Sequence, residues 1–207
     1  MQLLIAPFPV SEHHYGKRRK SDLAEIIRMQ HLKTFSKDEL IIVNNVVSVA
    51  EELVSNHYKM SASEWLRPKY DVKTLVDLAP GEIVDGPFAQ IVRYEGQRMD
   101  TALGSGAFDY YKICLQDHAI HSTLNKMADM TLFPFCLYII THELIHIVRF
   151  SKFLQRFDAS PSEKLSEEKR VHESTHQILH PVQVSGMVAV LDFYDKWRQP
   201  LEGMRTN

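Results

Sequence analysis

Cysteine is scarce in this chain of 207 residues. There are two, Cys114 and Cys136, with no C-x-x-C pair. Each sits in apolar sequence and reads as a small buried hydrophobe, a usage that fits a reducing compartment better than a disulfide framework. An excess of one charge is also lacking. Lys and Arg number 24 against 26 Asp and Glu, for a net charge of -2 with histidines neutral. That removes any global attraction to nucleic acid or to an acidic substrate. The local exception is KRRK at 17–20, a cluster short enough to be a solvated loop or helix entry. A clean membrane-length apolar run is missing too. The nearest stretch, 132–150, holds His142, Glu143, His146 and Arg149, each expensive in lipid. The first ten residues, MQLLIAPFPV, have no basic n-region and are broken by Pro7 and Pro9, so no secretory signal is read. The expectation is a cytoplasmic protein with no nucleic-acid or membrane partner.

With 44% hydrophobic residues, the chain can bury a core without covalent staples. Its beginning reads as helical. SDLAEIIRMQHL follows an N-cap candidate at Ser21, and Ser36 with Glu39 has capping-box spacing ahead of a second helix. SASEWLRPKY is punctuated by Pro68, and DVKTLVDL reads as a short helix ended by Pro80-Gly81. The middle changes character. FAQIVRYEG and FDYYKICLQD are rich in β-branched and aromatic residues, and the Gly-containing GQRMDTALGSGA joins them, which predicts a hairpin or small sheet with a long loop. Helices then resume: one from near Pro134 to about Phe153, one over roughly 163–179, and a last one in GMVAVLDFYDKW. The order predicts a mainly helical α+β fold. A helical region would cover 1–80, and a small sheet plus further helices 81–207, together one compact domain.

The third-last helix carries the chemistry. IITHELIHIV, 139–148, places His142, Glu143 and His146 in the pattern H-E-x-x-H. Residues four apart share one helix face, so both imidazoles can reach one metal ion, while Glu143 lies on the flank where it can meet an activated water. The alternative is a paired polar cluster inside a core, since a buried Glu needs a partner under either reading.

The window resembles the active-site helix of the zincin metallopeptidases. Ile139, Ile140 and Thr141 precede the motif, Leu144 and Ile145 lie within it, and Ile147 and Val148 follow, with no charge but the motif's own. The resemblance implies one zinc ion as cofactor, His142 and His146 as ligands and Glu143 as general base. It implies hydrolysis of a peptide bond in a peptide or protein substrate. In the glutamate-type members the third ligand is a Glu on a following helix, which points to Glu167 or Glu168. A strand ahead of the active helix often holds the substrate by edge pairing, which would fall to FAQIVRYEG or FDYYKICLQD.

Helical geometry leaves the third ligand open. Glu168, His172 and His176 follow one another at steps of four and share a stripe. If the two helices form an antiparallel hairpin turning near Ala159, His146 faces the level of His172 and His142 that of His176. The order of preference is Glu168, His172, His176. A solvated, charge-laced face would look similar. Tyr194 and His180 are candidates to stabilise an oxyanion, though packing or capping suits each. Residues 172–176 are a second H-E-x-x-H, with Arg170 before it and polar Ser174 and Thr175 inside. Glu143/His146 and Glu173/His176 together would suit a di-iron or di-manganese carboxylate centre. A non-enzymatic regulator stabilised by its metal is a third class.

Overall fold

The computed structural model describes residues 32–61, 64, 69–97, 107–156 and 158–198. KRRK, the expected helix after Ser21, Trp65 and most of the Gly-containing connection lie outside them. The fold is α+β and mainly helical with a small sheet. The chain divides into two compact units, residues 1–40 with 66–126 and residues 41–65 with 127–207.

The first unit is built on a three-stranded sheet. Ser36 and Glu39 form the expected capping box: the Glu39 amide donates to Ser36 Oγ (3.3 Å) and the Ser36 amide to Glu39 Oε2 (2.7 Å). Helix α1 (Lys37–His57) opens there. Strands β1 (Lys69–Lys73), β2 (Ala89–Gln97) and β3 (Ala107–Leu115) lie in the order β1-β3-β2. β2 and β3 are the expected hairpin pair, antiparallel from Ala89 opposite Leu115 to Gln97 opposite Ala107. β1 corrects the expectation of helix before residue 80. Its pairing to β3 is parallel, Lys69 opposite Tyr110, and DVKTLVDL supplies the end of this strand and a short 3-10 turn at Leu75–Asp77. Being central, β3 buries Ile113, Cys114 and Leu115 completely. Helix α2 (Asp117–Leu124) follows. The buried Asp117 carboxylate accepts from the amides of Phe35 (2.9 Å) and Leu75 (3.0 Å), tying three segments together.

The second unit contains the rest of α1 with α3 (Leu132–Ser151), α4 (Pro161–Leu179) and α5 (Met187–Arg198). α3 is its axis. Leu144, Ile145, Ile147 and Val148 are fully buried, and each such side chain contributes about 1.5–3 kcal/mol. By length and composition α3 could cross a membrane, yet 83% of that window is buried inside the protein, the mark of a core helix. α4 starts at the N-cap Ser160, whose amide donates to Glu163 Oε2 (2.8 Å), with Pro161 in the first turn. Gly186, at φ +84°, precedes α5; a Cβ there would sit 3.4 Å from Asp129 O and Pro134 Cγ, so the turn requires glycine.

Candidate metal centre

α3 presents Tyr138, His142 and His146 on one face at steps of four, and α4 presents Glu168 and His172 toward them. The α3–α4 contacts pair Tyr138 with His172, His142 with Glu168, His146 with Glu168, and Arg149 with Glu167. The helices are antiparallel, as expected, but the register differs. α3 stops at Ser151 and α4 starts at Pro161, so the hairpin turns midway, at about 156 rather than 159. The facing partners therefore move toward the start of α4 by a turn or more. His146 meets Glu168 rather than His172. His176 is not brought into the centre; it lies beside His180, ring centroids 5.2 Å apart.

Three side chains bring four ligand atoms together: His142 Nε2, His146 Nε2 and both carboxylate oxygens of Glu168. His142 Nε2 is 3.3 Å from Glu168 Oε2, His146 Nε2 is 3.2 Å from Glu168 Oε1, and the two Nε2 atoms are 3.2 Å apart. Two ligands at zinc's usual distance and a tetrahedral angle stand about 3.3 Å apart, so the spacing fits one ion. Donor chemistry gives the same answer. His146 Nδ1 lies 3.1 Å from Gln155 Oε1, and an amide oxygen only accepts. Nδ1 thus carries a proton, and in the neutral ring Nε2 presents a lone pair to a second imidazole nitrogen and a carboxylate. A positive charge stabilises such a cluster, and either a bound cation or protonation of His146 supplies it. Burial would lower its pKa, but Glu168, Glu143 and Gln155 outweigh burial and lift it to about 9. Glu168 responds in the opposite sense: burial raises its carboxyl, and the two imidazoles hold it well below the ordinary value.

His172 also lies beside His142 and Glu168. Its ring centroid is 4.3 Å from that of His142, and ligand atoms of His142, Glu168 and His172 lie within 4.8 Å of one another. Its Nδ1 is 2.9 Å from the Tyr138 hydroxyl. Burial pushes its pKa down to about 2, leaving the imidazole neutral. Tyr138 stacks on Tyr194 at 3.8 Å and 4°, which makes Tyr194 a packing residue, and burial raises both phenols. Glu143 is half-buried beside the histidines, and burial raises its carboxyl against their opposing charge.

The remaining candidates have other partners. Glu167 is buried and spent on Arg149 and on Arg170 (2.8 Å). Glu173 accepts from Gln177 Nε2 (3.1 Å) and lies 4.0 Å from Arg198. Sequence reasoning missed Gln155 and Tyr138. Tyr138 had a signal, four residues before His142 on the same face; Gln155, an amide in a connecting loop, had none. No family model, curated protein or solved structure matches the chain, so a functional reading stands on these residues alone.

Proposed function

We propose that the protein is a zinc-dependent metallopeptidase in which His142, His146 and Glu168 hold the ion and Glu143 is the general base. The observation that carries this reading is the 3.2–3.3 Å spacing of the His142, His146 and Glu168 ligand atoms, with both histidines on the helix that also bears Glu143. Zinc would supply Lewis acidity, which makes water a nucleophile near neutral pH and polarises a carbonyl. Glu143 takes the water's proton on a carboxylate oxygen and returns it to the departing amine. Arg149 and Glu167 lock α3 to α4 one turn beyond His146, so the ligands from the two helices keep their spacing. Gln155 fixes the tautomer of His146. The paired E-x-x-H alternative draws no support from Glu173, which faces Gln177 and Arg198.

The test is Glu143→Gln, loaded with zinc and offered a quenched fluorescent peptide library. The variant should bind zinc as the wild type does and cleave about 10²–10⁴-fold more slowly, the usual contribution of a general base. Equal cleavage by variant and wild type would overturn the mechanism.

A further inference from the structure

We infer that His172 is a fourth protein ligand, closing the sphere formed by His142, His146 and Glu168 and keeping the centre latent until a substrate displaces it. The inference rests on the proposed zinc site and concerns its regulation. Catalytic zinc keeps three protein ligands and an open position, whereas a closed site has four. Here two ligand triads share His142 and Glu168: one is completed by His146 at 3.2 Å, the other by His172, all within 4.8 Å. His172 stands one turn beyond Glu168 on the same face of α4. It is 8% exposed, so it is part of the centre's wall. Its position is built. Tyr138 Oη lies 2.9 Å from Nδ1, Tyr138 is stacked on Tyr194, and Trp197 stacks on the imidazole, centroids 6.0 Å apart. When the tyrosine oxygen accepts from Nδ1–H, the Nε2 lone pair is free to bind a cation. In that tautomer the hydroxyl would leave Nε2 as the ligand atom and keep the ring oriented.

Ligation is read with cobalt(II) in place of zinc, and zinc affinity by chelator competition. The wild-type chain should give the intense d–d absorption of a four-coordinate site. His172→Phe, which keeps an aromatic ring in the cluster, should shift that absorption and make it respond to pH and to added anion as water takes the vacated position, and bind zinc at least about tenfold more weakly. Tyr138→Phe keeps the stack on Tyr194 and should shift both readouts in the same direction by less; it decides the matter if His172→Phe does not fold. A folded His172→Phe with an unchanged cobalt spectrum and unchanged zinc affinity would overturn the inference, as would unchanged readouts in Tyr138→Phe where that variant must decide. Cleavage separates this from the parent proposal. Faster peptide cleavage by zinc-loaded His172→Phe than by wild type supports latency. No cleavage by either removes the peptidase reading, and the spectra still judge His172.

Discussion

Glu167 and Glu168 are neighbours in sequence with opposite duties. Glu168 faces two imidazoles, and Glu167 faces two guanidiniums. Glu168→Gln should cost zinc affinity about 10²-fold or more, since it removes the one anionic ligand of the site. Glu167→Gln should leave zinc binding in the folded protein near wild type and lower stability by about 1–3 kcal/mol, because it leaves the half-buried Arg149 without its charge partner. Zinc competition and denaturant unfolding on the two variants check this; the reverse assignment of effects would contradict it. Gln155→Leu frees His146 to change tautomer and should weaken zinc binding about 10–100-fold, read by the same competition. At this scale the sequence was partly legible. His142 and His146 stand out because ionisable groups at helical spacing in an apolar run need a reason, and Glu168 because it heads a stripe with His172 and His176 at steps of four. Gln155 and Tyr138 do not stand out, since an amide in a loop and an aromatic in a core helix are ordinary.

At the scale of elements, the α3–α4 hairpin sets the site, and its register follows from where each helix ends. The capping box at Ser160 fixes the start of α4. Ser160→Ala should therefore cost about 1 kcal/mol, measured by denaturant unfolding of the apo and zinc-loaded protein; no change would show that the cap is not what anchors α4. Helices α1, α3, α4 and α5 were legible from the sequence, as were β2 and β3 from their β-branched and aromatic runs, whereas α2 (Asp117–Leu124) was passed over. β1 was not. Lys69–Lys73 is short and mostly polar, and what makes it a strand is its parallel pairing with Tyr110–Cys114, a partner far along the chain that no local pattern encodes. The hairpin turns earlier than the sequence spacing suggests for a related reason: helix ends are decided by caps and packing, and α3 stops before Phe153, which takes a positive φ.

At the scale of the molecule, the two units carry separate electrostatic commitments. In the sheet unit, burial would raise the Glu82 carboxyl, but hydrogen bonds from Lys112 (2.6 Å) and Tyr94 (2.5 Å) outweigh it and lower the pKa. A carboxyl lowered on folding contributes stability that is present above the unfolded value of about 4.3 and is lost as pH falls through the folded value. Glu82→Gln should flatten that acid limb in unfolding measurements across the acid range; an unchanged limb would show that the pair is not what acid breaks. In the helical unit, zinc bound to the native state alone should add about 4 kcal/mol at 1,000 times its Kd, so a chelator should lower the unfolding temperature. The central claim is that α3 and α4 hold one metal ion between them. Elemental analysis of untagged protein, purified without added metal and compared with a His142→Ala/His146→Ala double variant, tests it most directly. The expected result is about one zinc per wild-type chain and almost none in the variant. No metal in the wild type even after zinc is offered, or equal metal in both, would contradict the claim and leave His142, His146 and Glu168 as a polar cluster in a structural core.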